Sequence, residues 1–418
     1  MSSSVSPSVA LGRRALVVLT LINMFNYIDR WVVPPLFESL KREPVLGHPS
    51  DARLGSLMTA FVIIYMLASP FFGALGDRMG RTRLIAFGVA LWSLATATAG
   101  LATSFLMLFA ARATVGIGEA AYGTIAPTVL ADYYAPDRRG RIMAIFACAI
   151  PIGSALGFVL GGLVDTHFGW RAAFFVAGVP GLILSLLVLT LKDPPRGLLD
   201  AAPVAHAEGT PALEALRHAY AVLLRNRLYV LTCLGYAAYT FALGGIAAWL
   251  PSFFERVRGV SHAQAATVPG AIVVVTGFVG TFAGGWLADR WLVTNKQAYW
   301  WVSGIGALLA TPFALVTFTA ESPAIYWSAS AVCQVLLFAS TGPMNAATVN
   351  IVSPSMRATA LAFQILVIHL LGDVPSPPLI GWISDRSSLG QAVLILPTAI
   401  LIGGLFWIWA AREDARAT

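Results

Sequence analysis

The chain has 418 residues, 57% of them hydrophobic and 11% charged, with a mean hydropathy of +0.75. An ordinary soluble domain carries about 25% charged residues, so this composition excludes a soluble fold. The formal net charge of +7 is scattered between apolar runs rather than gathered in a basic domain, which argues against nucleic-acid binding and for a role in membrane topology.

One bilayer crossing uses about 20 apolar residues as helix, so twelve crossings need on the order of 240. That leaves short loops and one longer connection. In chain order, apolar runs bounded by charges, Gly and Pro predict spans near 15–38, 54–76, 84–103, 105–131, 141–164 and 172–191. Six more are predicted near 229–255, 265–288, 298–319, 324–352, 358–383 and 391–411. Arg13 and Arg14 before the first run imitate a signal peptide, but the run continues to Phe37 without a small-x-small cleavage site, so it is read as a retained span. The polar stretch 192–228 reads as a linker with an amphipathic helix near 211–224. The expected domains are therefore a six-helix half at 1–191, the linker 192–228 and a second six-helix half at 229–418.

With both termini on one side, that side carries 18 Lys and Arg and the opposite side seven. The richer side is expected to be cytoplasmic. Short loops suit a bacterial inner membrane. Cys148, Cys233 and Cys333 lie far apart, each inside an apolar run, so neither a disulfide framework nor a metal site is expected. No phosphate-cradling loop, nucleophile elbow or cofactor motif occurs, so the chain reads as neither an ATP motor nor an enzyme, and no cofactor is expected.

The two halves echo one another. Phe72-Gly73-Ala74-Leu75-Gly76-Asp77-Arg78 recurs as Gly284-Gly285-Trp286-Leu287-Ala288-Asp289-Arg290, an offset of 212 that also takes Leu19-Thr20 to Leu231-Thr232 and Tyr27 to Tyr239. Duplicated halves are common in transporters, which place substrate sites near the midplane at the repeat interface.

The remaining charges fall inside spans: Asp29, Arg30, Arg112, Glu119 and Asp373, accompanied by His369. A charge at the bilayer centre costs at least about 2.5 kcal/mol, so these groups are expected to face a polar path. Arg112 and Glu119, seven residues apart, share a helix face with a rise of roughly 10 Å. Asp29 and Arg30 are adjacent and point about 100° apart. His369 and Asp373, four apart, place an imidazole beside a carboxylate, as a proton relay or a substrate contact.

Gly73 through Arg83 resembles the conserved loop motif of the major facilitator superfamily. More narrowly, Asn26-Tyr27-Ile28-Asp29-Arg30, Gly116-Ile117-Gly118-Glu119-Ala120 and His369-Leu370-Leu371-Gly372-Asp373 with Pro375-Ser376-Pro377 resemble its spinster branch. The resemblance covers almost the whole chain. It implies an all-α membrane fold of twelve helices in two six-helix halves, and a monomeric secondary carrier that alternates access to a lysolipid or sphingoid phosphate.

On that reading Gly73, Asp77, Arg78, Gly80, Arg81, Asp289 and Arg290 serve gating, with Asp77 and Arg81 as a latch. Arg30 and Arg112 would grip an anionic head group, since guanidinium binds phosphate bidentately, while Tyr27, Tyr239, Phe241 and His369 line the rest of the substrate site or simply pack. Glu119, Asp29 and Asp373 are the proton-coupling candidates, with protonation of Glu119 expected to free Arg112; a purely structural ion pair is the alternative. Phe158 stands where drug antiporters carry proline in a similar glycine motif, and Trp291-Leu292 follow Asp289-Arg290 in place of the first half's glycine and arginine. A small organic-anion symporter, a drug/proton antiporter and a non-transporting lipid receptor are the competing functions.

Overall fold

A computed structural model of the chain describes residues 9–196, 220–353 and 356–417. Among them are twelve helical stretches long and apolar enough to cross a membrane, as the hydropathy pattern predicts, and the protein is an integral membrane protein of all-helical fold. The predicted amphipathic helix at 211–224 falls largely outside the described residues.

The first seven spanning or connecting helices are α1 (Val9–Val32), the short α2 (Phe37–Arg42), α3 (Asp51–Arg78), α4 (Arg81–Ala99), α5 (Phe105–Tyr133), α6 (Pro136–Ala147) and α7 (Ala149–Phe168), followed by α8 (Trp170–Val188). The later ones are α9 (Arg227–Arg256), α10 (His262–Leu292), α11 (Ala298–Thr319), α12 (Pro323–Phe338), α13 (Thr341–Asn350), α14 (Arg357–Ile368), α15 (Ser376–Arg386), the single turn α16 (Leu389–Ala392) and α17 (Ile395–Ala417). Two predicted spans are irregular. The tenth is interrupted between α12 and α13, and the eleventh carries a π-helical turn at His369–Asp373 between α14 and α15.

The helices cluster into two compact units. Unit 1 comprises Met1–Pro49, Ser56–His206 and Ser261–Gly270; unit 2 comprises Ser50–Gly55, Ala207–Val260 and Ala271–Thr418. The first turn of α3 thus belongs to unit 2, where the Asp51 carboxylate binds Arg256 at 2.5 Å and accepts from Ser384 Oγ at 2.6 Å. The first turns of α10 belong to unit 1, where His262 Nε2 lies 2.9 Å from Asp165 Oδ2.

Lipid offers no hydrophobic drive for helices to associate, so close approach by small residues does much of that work. In unit 1, Gly153, Gly157 and Gly161 recur every fourth residue on α7 and face α1. A Cβ on Gly157 would lie 2.7 Å from the Ile28 carbonyl, and one on Gly161 2.7 Å from that of Val32. Gly88 of α4 and Gly118 of α5 meet the same way, each Cβ falling 2.6 and 2.5 Å from the other's carbonyl. These contacts bring α1 and α5, the helices bearing the intramembrane charges, into the heart of the unit. Trp92 and Tyr122 fill the space beside them edge to face, centroids 5.5 Å apart. In unit 2, Trp407 of α17 is fully buried against Gly235 of α9 and its indole N–H donates to the Thr232 carbonyl.

Candidate functional site

Four charges converge in unit 1. Asp29 and Arg112 are fully buried, Glu119 is 1% exposed, and the Arg30 side chain keeps 22% of its surface accessible. The pairing is crossed. Arg112 Nη1 donates to Asp29 Oδ1 at 2.6 Å, and Arg30 Nη2 donates to Glu119 Oε2 at 2.8 Å. This corrects the expectation that Glu119 holds Arg112. Although the two share a face of α5, their two-turn separation is too long for contact, and each reaches to α1 instead. Asp29 and Arg30, pointing apart, meet them one each.

Thr96 of α4 donates a further hydrogen bond to Asp29. Arg30 lies over three rings, with its guanidinium carbon 4.9 Å from the Tyr27 centroid, 4.7 Å from Phe61 and 5.5 Å from Tyr65. Phe61 also lies 5.7 Å from the Arg112 guanidinium. Rings offer their negative faces to a cation, which stabilises Arg30 without consuming its N–H donors. Three donors and one acceptor remain unused: Arg112 Nε and Nη2, Arg30 Nε and Glu119 Oε1 are buried with no hydrogen-bond partner. Buried polar groups are nearly always paired, so the cluster holds capacity for a ligand, water or proton.

Unit 2 is different in chemistry. His369 Nδ1 lies 2.9 and 3.0 Å from the two Asp373 oxygens on the π turn. Tyr239, 3% exposed, has its hydroxyl 3.2 Å from Thr341 Oγ1. Phe241 is half-buried, and its carbonyl accepts from Ser376 Oγ at 2.6 Å. At the duplicated positions of Asp29 and Arg30 stand Phe241 and Ala242, so the two halves do not share their charges.

The loop motif is built around Arg81, which is 4% exposed. Its Nη1 meets Asp132 Oδ2 at 2.5 Å and its Nε meets Asp193 Oδ1 at 2.9 Å, while its backbone N–H donates to Asp193 Oδ2 at 2.7 Å. Arg196 closes the arrangement by donating to the carbonyls of Gly76 and Met79 at 2.6 and 2.8 Å, at the end of α3. Gly73 has open space where a Cβ would stand, a Cβ on Gly80 would meet only Arg83 Cδ at 4.0 Å, and Arg78 is exposed. Asp77 lies on the last turn of α3, and its side chain is outside those described. In the second half, Asp289 is exposed and accepts from the Tyr299 hydroxyl at 3.2 Å, and Arg290 lies 5.9 Å from the Trp286 ring. Phe61, Tyr65, Thr96, Asp132 and Asp193 all escape sequence reasoning. The two aspartates sit at span ends, where a search for partners of the loop arginines finds them.

The model of the Major Facilitator Superfamily matches residues 19–374. Zebrafish (Danio rerio) protein spinster homolog 3 is 34% identical over 96% of this chain and 86% of its own length. The chain belongs to the spinster family. Human (Homo sapiens) protein spinster homolog 1 is 35% identical over 90% of this chain and 74% of its own. A crystal structure of a bacterial homolog of the human lysosomal transporter spinster, inward-facing and unoccupied, superposes with a TM-score of 0.84 at 24% identity, covering 97% of this chain and 98% of that one. This spinster-type chain is accordingly a membrane transporter of the major facilitator fold and not an enzyme.

Proposed function

We propose that this transporter moves an amphipathic anionic lipid, a lysolipid or sphingoid phosphate, by proton-coupled alternating access, as a monomer in a bacterial inner membrane with both termini cytoplasmic. The observation that carries the reading is Arg112, fully buried and bound to Asp29 through one nitrogen, with Nε and Nη2 unused. A guanidinium with two spare donors suits phosphate. Arg30, part-accessible and ringed by Tyr27, Phe61 and Tyr65, supplies the second cation.

Glu119 is the coupling group. Protonation of its carboxylate cancels the charge that holds Arg30 and releases that guanidinium to the anion. An arriving anion, conversely, weakens the Arg30–Glu119 pair and favours proton uptake. The two bind cooperatively, since linkage is reciprocal. Asp29 keeps Arg112 aimed throughout. The His369–Asp373 pair would serve as a second proton or head-group contact in unit 2, and Tyr239 and Phe241 would stand beside the tail. Gly73, Asp77, Arg78, Gly80, Arg81, Asp289 and Arg290 would govern the closing of one face.

The test is uptake of labelled sphingosine phosphate into proteoliposomes, with and without a pH gradient. Arg112→Ala should abolish flux, and Glu119→Gln should retain flux but lose its response to the gradient. A gradient response unchanged in Glu119→Gln removes the coupling role. No lipid flux from correctly inserted wild type, with uptake of a small organic anion, transfers the same guanidinium site to the soluble substrate. Binding without flux would mark a receptor.

A further inference from the structure

Unit 2 lacks the charges of unit 1, yet α9 and α13 are joined by a polar contact that neither the charge pattern nor the loop motif accounts for. Tyr236 and Tyr239 lie three apart on α9 and share a face, as do Thr341 and Asn345, four apart on α13. The Tyr239 hydroxyl stands 3.2 Å from Thr341 Oγ1, with Tyr236 and Asn345 one turn along on the same faces. One neutral rung therefore connects the helices.

The tyrosine side of the contact is fixed. Tyr236 and Tyr239 are 6% and 3% exposed, their rings are 5.5 Å apart, and both pack on the fully buried Trp407 at 6.3 and 5.7 Å. The α13 side is open: Asn345 is exposed and Thr341 half-buried. A carboxamide offers two donors and an acceptor with two lone pairs, and at Asn345 that capacity stands on an exposed side chain.

What Asn345 is exposed to follows from its neighbours. Other helices of this unit leave large apolar side chains uncovered, among them Val275, Val279, Phe282 and Trp286 on α10 and Ile325 and Val332 on α12. The uncovered and half-covered residues of α13 are Thr341, Gly342, Asn345, Ala346, Val349 and Asn350, small or polar apart from Val349. Polar groups inside a membrane face the bundle interior or water. The interruption between α12 and α13 agrees, because irregular backbone at membrane depth is tolerated only where protein covers it or water reaches it. In unit 1 the corresponding span, α5, runs unbroken from Phe105 to Tyr133.

We propose that Asn345, with Thr341 and backed by Tyr236 and Tyr239, is a neutral recognition station that hydrogen-bonds an uncharged hydroxyl or amide of the transported molecule. The proposal rests on the anionic-lipid reading above, in which the transported molecule also carries a neutral polar group.

The test compares oleoyl lysophosphatidic acid with its 2-deoxy analogue, which differs by one hydroxyl, as ligands of the purified full chain by titration calorimetry. Wild type should prefer the hydroxyl form roughly fivefold, the yield of one neutral hydrogen bond. Asn345→Leu should bring the ratio close to one, and Asn345→Ala, which adds no bulk, should do the same. Arg112→Ala should weaken both ligands and leave the ratio standing. A wild-type ratio that survives both Asn345 variants overturns the station. Binding of neither lipid to wild type overturns the lysolipid reading and, with it, the hydroxyl-bearing lipid as ligand. Independently of any ligand, Asn345→Cys, in a chain whose Cys148, Cys233 and Cys333 are serine, should react with a charged thiosulfonate added in water. No reaction overturns the aqueous placement.

Discussion

Asp29 and Arg112 meet at 2.6 Å with neither side chain more than 1% exposed. A pair so buried contributes little over a well-packed apolar substitute, but removing one partner strands a charge and costs about 3–5 kcal/mol. Asp29→Asn should therefore lower the thermal unfolding temperature of the purified protein sharply. Asp29→Asn combined with Arg112→Gln should recover part of the loss. A double variant no more stable than Asp29→Asn would show that the two do not act as a unit.

Arg81 is held by Asp132, Asp193 and the Pro194 carbonyl. Arg81→Ala leaves Asp132, which is 8% exposed, without this cation, at a cost on the order of 2–4 kcal/mol. Limited proteolysis should then cut near 192–196 faster than in wild type. Asp193→Asn, whose side chain is 29% exposed, should show a much smaller effect, and equal sensitivity in the two variants would refute the central place of Arg81.

Glu43 follows α2, outside the spans, and its Oε2 accepts from the Trp170 indole at 2.8 Å and from Arg171 at 3.2 Å. The Trp170 hydrogen bond, helped by the Arg171 charge, holds its carboxyl below the usual glutamate value of 4.5. A lowered carboxyl stabilises the folded state above its unfolded value, and that stability disappears as pH falls through the folded one. Wild type should thus exceed Glu43→Gln in unfolding temperature at pH 7, and the gap should shrink progressively as pH falls below the usual glutamate value. A gap independent of pH would assign the effect to packing.

Gly157 faces Ile28, the residue before Asp29. Gly157→Leu should push α1 from α7, with a penalty of about 1–3 kcal/mol or more and a loss of flux from displacement of Asp29 and Arg30. Gly140→Ala, where a Cβ meets nothing within 4 Å, should keep the unfolding temperature within a degree or two. Wild-type flux from Gly157→Leu would contradict the packing role.

The spans were readable because apolar length is all that a bilayer demands, and the four charges of unit 1 stood out because charge is scarce inside spans. Their partners were not readable. Arg112 and Glu119 share a face, but which α1 group each meets depends on how two helices are rotated against one another, a property of packing and not of spacing. Tyr27 was named, but Phe61 and Tyr65 beside it were hidden by abundance, since aromatics are 11% of the chain. Residues 192–196 looked like the start of a linker because they are polar and contain Pro194 and Pro195; their anchoring to Arg81 is tertiary. The break before Thr341 had a trace in Ser340, Gly342 and Pro343, whereas the π turn at His369 had none.

The first turn of α3 sits with unit 2, and the first turns of α10 sit with unit 1. By the 212-residue offset, Ser50 corresponds to His262, so the exchange is mutual and falls at the same point of each repeat. A chain severed between 206 and 220 would leave each fragment holding a piece of the other: Arg256 and Ser384 without Asp51, Asp165 without His262. Neither six-helix repeat, taken by itself, holds all the partners that its own polar contacts require.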